Sequence, residues 1–334
     1  MNPGPSGGVR LFNAHINMPE SKPQSAEPVP LPSRVGAVIA VTKRIFTPLA
    51  IAFLAFVVWK SWDLIAELVL NADLKRFVLA VMLWSCVHFI SPLFAVQVIK
   101  GLGGGIAVRR AFHIHAGRLP ARYLPGGIWH TVARVSDFRD DGLDHRQLFS
   151  FVLVENLSAV SMTFVMGAAC LLLSNVPPRF LLLLWIFVAG GLMAMALLPG
   201  VIDRFAFAGR RRFERLPYLR ALAFIFLFWS LAACSFITYV SAFTGLFAGN
   251  PVIKLAGAYL LSWGVGFLAI FAPQGIGIFE LVAGRILHSD LSFGGAITMV
   301  AGFRIVVLLA DLGVWLFQIG VKRIEKRGPG TFSL

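Results

Sequence analysis

The sequence predicts an all-α integral membrane protein arranged as an inverted repeat, and three observations support this. First, 57% of the residues are hydrophobic, only 14% are charged and the mean hydropathy is +0.79, whereas a soluble domain has about 25% charged residues. Second, several apolar runs reach the roughly 20 residues that a helix needs to cross a bilayer. Third, two Pro/Gly breaks interrupt apolar regions at matching positions in the two halves of the chain.

Six uninterrupted apolar runs predict full transmembrane helices. They lie near 47–69, 77–99, 148–173, 180–198, 221–247 and 294–320. Residues 1–44 are rich in Pro, Gly and Ser and lack the apolar core of a signal peptide, which predicts a disordered cytoplasmic tail. The predicted membrane domain covers 45–322, and 323–334 form a second cytoplasmic tail.

Two further apolar regions, 106–136 and 253–288, contain the breaks Leu124-Pro-Gly-Gly127 and Ala272-Pro-Gln-Gly-Ile-Gly277. A broken helix frees backbone N–H and C=O groups that lipid cannot satisfy, so such a segment must be surrounded by protein or by a polar cavity. We therefore expect two re-entrant hairpins beside about six full helices. If both hairpins cross completely, the chain has eight spans.

The order of span, hairpin and span occurs twice, over about 77–173 and about 221–320. Corresponding features lie about 146 residues apart, and the single span at 180–198 between the units inverts the second relative to the first. Of the 30 Lys and Arg residues, 23 fall in the N-terminal tail, 100–147, 199–220 and the C-terminus. The positive-inside rule then predicts that both termini are cytoplasmic. The same rule, with anionic lipid, accounts for the net charge of +14 without nucleic acid.

The first break predicts an anion site. Pro125 ends the preceding helix, and after Gly126 and Gly127 a new helix begins, whose free N–H groups attract phosphate. Three arginines are close enough in sequence to converge on this site: Arg118, Arg122 and Arg134. Arginine prefers forked hydrogen bonding to phosphate. The alternative is that these arginines only mark the cytoplasmic interface.

The second break offers a partner site. Pro273, Gly275 and Gly277 precede Glu280, which falls in the first turn of the following helical arm. A carboxylate there satisfies free N–H groups. Glu280 could instead couple protons or balance an arginine.

Three charges within the spans are candidates for gating or charge balance: Glu155, Arg304 and Asp311. Arg304 and Asp311 are seven residues apart and share a helix face. We expect Arg304 to pair with Glu155 or Glu280, and a purely structural buried pair is the alternative.

No metal site, cofactor or catalytic constellation is predicted. His113 and His115 are two residues apart and cannot share a helix face, so with His130 they form a poor metal site. The three cysteines are well separated within apolar runs, which predicts free buried thiols.

Two segments together resemble the lysylphosphatidylglycerol synthase transmembrane family: Arg122-Tyr-Leu-Pro-Gly-Gly-Ile-Trp-His with Arg134, and Pro273-Gln-Gly-Ile-Gly-Ile-Phe-Glu280 with Arg304. That family pairs an Arg/Lys-Tyr-Leu-Pro-Gly segment with a later Pro-x-Gly-x-Gly-x-x-Glu segment and a late arginine. The resemblance covers roughly residues 45–322. It departs at Phe279, where many members have a polar or basic residue.

The resemblance implies a protein of the bacterial inner membrane that flips a lipid with a phosphate-containing headgroup and has no aminoacyl-transferase domain. The expected substrate is a phospholipid, an aminoacyl-phospholipid or a polyprenyl-phosphate sugar, and the expected partners are membrane lipids. Two alternatives stay open. One is a membrane-embedded enzyme acting on lipid headgroups, and the other is a non-transporting scaffold that binds lipid or cell-envelope biosynthesis enzymes.

Overall fold

The computed structural model describes residues 72–123, 129–174, 176–209, 212–243, 252–269, 275–288 and 293–326, together with Met1, Trp59, Trp62, Ala66 and Leu70. These residues form nine α-helices and no strand. The helices are α1 Leu74–Gly101, α2 Val108–Gly117, α3 Trp129–Asp140, α4 His145–Leu172, α5 Leu181–Val201, α6 Arg215–Ser241, α7 Val252–Leu268, α8 Ile278–Leu287 and α9 Phe293–Lys326. A 3₁₀ turn at Leu119–Tyr123 follows α2.

Five of the described helices are long and apolar enough to cross a membrane: α1, α4, α5 with its flanking turns, α6 and α9. The chain is therefore a multi-pass membrane protein. These helices match five of the six predicted spans with small shifts in their ends. Thus α6 begins at Arg215 inside the predicted basic loop, and α9 continues to Lys326 beyond the predicted membrane domain. The predicted span 47–69 and the tail 1–44 lie outside the described residues, apart from the isolated positions given above.

Local signals fix where these helices begin. The carboxylate of Asp73 caps α1 by accepting from the backbone N–H groups of Lys75 and Arg76. At α4, Asp144 and Gln147 form a reciprocal capping box, which satisfies two otherwise orphaned donors. At α8, Gly277 has φ +87°, and its N–H donates to Glu280 Oε2 at 2.7 Å.

Helices α1 and α6 pack antiparallel along their whole length. At one end the Asp73 N–H donates to the Ala242 carbonyl at 2.7 Å, and at the other the Glu214 N–H donates to the Gly101 carbonyl at 3.0 Å. Gln147 at the start of α4 donates to the Leu102 carbonyl at that second end. We call the end formed by Gly101, His145, Val201 and Arg215 the basic end, and the end formed by Leu74, Leu172, Leu181 and Ser241 the distal end.

Helix α9 runs in the same direction as α1, as three contacts in order along both helices show. Trp84 meets Phe303 edge-on, His88 lies 2.8 Å from Asp311, and Phe89 meets Phe317. The C-terminal end of α9 therefore lies at the basic end.

The two regions around the breaks enter from opposite ends of this bundle. From the basic end, α2 and the 3₁₀ turn run antiparallel to α9, with Arg109 beside Glu325 and Arg122 beside Asp311. Helix α3 then returns along α4, with Arg134 beside Glu155 and Phe138 against Phe151.

From the distal end, α7 runs antiparallel to α4, because Gly257 meets Leu171 and Gly264 meets Thr163. Helix α8 then returns along α9, with Glu280 beside Arg304 and Gly284 against Ile297. Each break thus falls between two short helices that pack against the longer helices of the bundle.

Candidate functional site

The first half of the candidate site is built around Asp311 on α9, whose side chain is 1% exposed. Arg122 Nη1 lies 3.1 Å from its Oδ2, and the Tyr123 hydroxyl donates to the same oxygen at 2.9 Å. His88 Nε2 lies 2.8 Å from Oδ1. This distance is that of a hydrogen bond, although the angle at the nitrogen is less favourable than in the other two contacts.

Arg134 forms a second buried pair beside the first. Its side chain is 5% exposed, and Nη1 donates to Glu155 Oε1 at 2.8 Å. The guanidinium also stacks near the rings of Phe138 and Phe151. Its Nε is buried and has no hydrogen-bond partner among the described residues, and the same holds for His130 Nε2 one turn earlier on α3.

The third pair lies at the second break. Arg304 Nε and Nη2 each approach Glu280 Oε1 at 2.7 Å. Glu280 is fully buried, whereas 32% of the Arg304 side chain is exposed. Phe279, which departs from the pattern of the resembled family, contributes its ring to this site, because the Arg304 guanidinium lies 5.9 Å from its centroid.

The first and third pairs lie near each other along α9. Arg304 and Asp311 lie about 10 Å apart along α9 for seven residues at 1.5 Å each. Arg122 and Arg304 both lie within electrostatic range of the Tyr123 hydroxyl. The partly exposed guanidiniums of Arg122 and Arg304 are therefore both close to Tyr123.

Glycine shapes the second break. Gly275 has φ +67°, a conformation that side chains with a Cβ rarely adopt. A Cβ there would lie 3.0 Å from the backbone of Gly266 on α7. The absence of a side chain lets the chain turn directly against α7 and brings Glu280 into position.

Of the predicted site residues, the structure brings together Arg122, Arg134, Glu155, Glu280, Arg304 and Asp311 in the three pairs described. Pro125, Gly126, Gly127 and Pro273 lie outside the described residues. Arg118 does not join the three pairs: its Nε and Nη2 bind both Asp137 oxygens at 2.7 Å, and this hydrogen bonding raises the pKa of Arg118. That pair ties the start of the 3₁₀ turn to α3.

The three histidines that were judged a poor metal site have different surroundings, and the ring of His130 lies edge-on to that of His115. His113 contacts Glu325 and Gln318, whereas His115 faces His88 on the opposite side of α2. No group of His, Cys, Asp and Glu side chains within the described part of the chain is arranged to hold a metal ion.

The sequence analysis missed three members of the site: His88, Tyr123 and His130. His88 is a titratable residue inside the apolar run 77–99, so the reasoning that selected Glu155 and Asp311 would also have selected it. Tyr123 and His130 both stand in the quoted motif Arg122-Tyr-Leu-Pro-Gly-Gly-Ile-Trp-His, but His130 was considered only as a metal ligand and Tyr123 was not selected.

Comparisons with known proteins do not supply a family. No family model and no curated protein matches this chain. The resemblance to the lysylphosphatidylglycerol synthase transmembrane family therefore rests on the two quoted motifs.

Proposed function

We propose that this protein moves a lipid with a phosphate-containing headgroup across the bacterial inner membrane. The candidates are a phospholipid, an aminoacyl-phospholipid and a polyprenyl-phosphate sugar. The observation that carries the proposal is a pair of buried nitrogens without a partner among the described residues: Arg134 Nε, which is a donor, and His130 Nε2, which donates when its tautomer places the proton there. Buried donors without a protein partner are rare, and a phosphate oxygen would satisfy both.

The surroundings of these donors fit a phosphate. Arg122 lies within electrostatic range of His130, as Arg134 does. Arg122 precedes the Leu124–Ile128 connection and Arg134 follows it. Helix α3 begins after this connection, at Trp129, and helix N-termini attract anions. Arginine supplies five donors in a planar fork, so Arg122 and Arg134 can each hold a carboxylate and still contact a phosphate.

Within this proposal, the two interrupted regions are re-entrant hairpins, and the two units form an inverted repeat. The contact order along α4 and α9 supports it, because each interrupted region leaves and returns to the same end of the bundle. The ion pairs support it as well. In the first unit the returning arm carries Arg134 and the next span carries Glu155, whereas in the second the arm carries Glu280 and the span Arg304.

The hypothesised path runs from the first break to the second. The phosphate first contacts Arg122 and Arg134, then passes Tyr123 to the exposed part of Arg304, while the acyl or prenyl tails remain in the bilayer. Each guanidinium is held by a buried carboxylate, so the cations stay fixed while the headgroup moves. Both termini and the basic end face the cytoplasm in this arrangement.

The test is a leaflet-accessibility assay in vesicles containing fluorescent phosphatidylglycerol, lysyl-phosphatidylglycerol or a short polyprenyl-phosphate sugar. We expect the protein to accelerate quenching of at least one probe. Arg122→Ala and Arg134→Gln should each remove most of this acceleration, at least tenfold, because each loses a phosphate contact worth on the order of 1.5–3 kcal/mol.

The matched control is Arg139→Gln, which lies on α3 with Arg134 but is exposed, and it should behave as wild type. Unchanged transport in Arg134→Gln would remove the first break from the site. No acceleration of any probe by folded protein would reject translocation and favour the enzyme or scaffold alternatives.

A further inference from the structure

A chain of buried polar side chains extends from Asp311 to α2, where the ring of His115 lies edge-on to that of His130. Asp311 contacts His88, whose Nδ1 lies 3.1 Å from His115 Nε2. His115 Nδ1 in turn lies 3.3 Å from Ser91 Oγ. His88 is 2% exposed and His115 is 4% exposed. Phosphate binding as proposed above assigns no role to either histidine.

The fixed charges around these polar side chains sum to zero before any additional proton binds. Arg122 faces Asp311 and Arg134 faces Glu155. A headgroup whose only charge is a phosphodiester, such as that of phosphatidylglycerol, adds one negative charge to this neutral set. An uncompensated charge in a low-dielectric site is costly, so the bound lipid needs one further positive charge nearby.

We propose that one proton binds to the His88–His115 pair together with the phosphate headgroup, so that lipid binding and proton binding are coupled. The inference rests on the proposed function, since it assigns a second ligand to the same site. One proton taken from solvent balances the single negative charge of the lipid.

The geometry gives this coupling a direct route. A protonated His88 partly neutralises the Asp311 carboxylate at Oδ1. The attraction between Asp311 and Arg122 is then weaker, and the guanidinium can turn to the phosphate. Loss of the proton strengthens the Arg122–Asp311 ion pair again and favours release of the lipid. Because the coupling free energy between two binding events is reciprocal, proton binding and lipid binding must strengthen each other equally.

The proton site is enclosed by charged and titratable groups from every element around it. They are Asp311 on α9, His115 on α2, Arg122 and Tyr123 on the 3₁₀ turn, and His130 and Arg134 on α3. Burial, and after it the charge of Arg134, opposes protonation of His115 while the phosphate is absent. A bound phosphate offsets the effect of the arginine, which makes the site sensitive to occupancy.

The test measures proton uptake when purified wild-type protein binds dioctanoyl-phosphatidylglycerol, whose phosphodiester does not titrate near neutral pH. Binding enthalpies are compared in buffers with different heats of ionisation, from mildly acidic to mildly alkaline pH. We expect uptake of close to one proton per lipid at mildly acidic pH, falling toward zero as the pH rises above the pKa of the histidine pair in the complex. Where the uptake is near one, the affinity should fall by up to about tenfold per pH unit, and it should level off at higher pH.

His88→Gln should bind the lipid more weakly than wild type at mildly acidic pH, with proton uptake near zero and an affinity that no longer depends on pH. His145→Gln, an exposed histidine at the start of α4, is the control and should match wild type. If His88→Gln does not fold, His115→Gln provides the second variant and should also lose most of the uptake.

The outcomes separate the two proposals. Lipid binding without proton exchange in the wild-type protein overturns the coupling and leaves the phosphate site intact. Absence of lipid binding by folded protein rejects the phosphate site, and with it the coupling. Proton uptake that persists in both histidine variants overturns the assignment to His88 and His115.

Discussion

In each of the three ion pairs, one partner is more deeply buried than the other. Asp311 and Glu280 are almost fully enclosed, and each has an arginine partner about one-third exposed. Arg134 reverses this arrangement, since the cation is enclosed and Glu155 is 19% exposed. Removal of one partner leaves an unpaired buried charge and strongly destabilises the protein. These pairs therefore contribute to stability as well as to the proposed substrate binding.

A double-mutant cycle measures this at Glu280 and Arg304. We expect Glu280→Gln and Arg304→Gln, alone and together, to give a coupling energy of about 1–3 kcal/mol in reversible unfolding from detergent micelles. The reason is that Glu280 is fully buried and its partner is lost in Arg304→Gln.

The exposed pair Arg118–Asp137 is the comparison for that cycle. Its arginine is 46% exposed, so its coupling should be only about 0–1 kcal/mol. Equal coupling in the two pairs would contradict the assigned burial of Glu280.

At the scale of the elements, close helix approach depends on glycines at a few crossings. Helix α7 packs on α4 where Gly167 meets the backbone of Leu261 and where Gly257 meets Leu171. This crossing holds the second interrupted region against the first unit. By contrast, α5 contacts chiefly α4 and is the least buried of the candidate membrane spans.

Gly167→Ala tests the crossing, since the new Cβ would lie 2.6 Å from the Leu261 backbone nitrogen, which cannot move without shifting α7. We expect a loss of stability of about 1–3 kcal/mol, measured as a lower midpoint of thermal unfolding in detergent.

Gly190→Ala in α5 is the control, because nothing lies within 4 Å of its Cβ position. It should be neutral or slightly stabilising, as alanine favours helix more than glycine. A midpoint for Gly167→Ala as high as that of Gly190→Ala would show that α4 and α7 do not pack as closely as described.

At the scale of the whole molecule, basic side chains collect at one end of the bundle. Described residues there include Lys100, Arg109, Arg110, Arg139, Arg146, Arg204, Arg212, Arg215, Lys322 and Arg323, whereas the distal end has Lys75, Arg76, Arg179, Lys254 and Arg285. This asymmetry follows the positive-inside rule and predicts which end faces the cytoplasm.

Single-cysteine accessibility tests both orientation and re-entry. Gly105 and Asp140 flank the first interrupted region, and Val252 and His288 flank the second, all at exposed positions. With Cys86, Cys170 and Cys234 replaced by Ala, we expect a membrane-impermeant thiol reagent to label cysteines at 252 and 288 in intact cells. Cysteines at 105 and 140 should react only after permeabilisation. If a region crosses the membrane completely, its two flanking positions will differ in labelling.

The sequence alone determined the membrane class, five of the described spans and the positions of both breaks, because apolar length and Pro/Gly chemistry are local properties. It also selected Glu155, Glu280, Arg304 and Asp311, since a charge within an apolar run stands out without knowledge of the fold. Only the tertiary structure decided the partners. Glu280, not Glu155, receives Arg304, while Arg118 turns away to Asp137. Asp311, His88 and Arg122 meet although up to 223 residues separate them along the chain (311 − 88). Such pairings depend on which helices pack together, and that is fixed by the combined shape of many apolar side chains rather than by any local pattern.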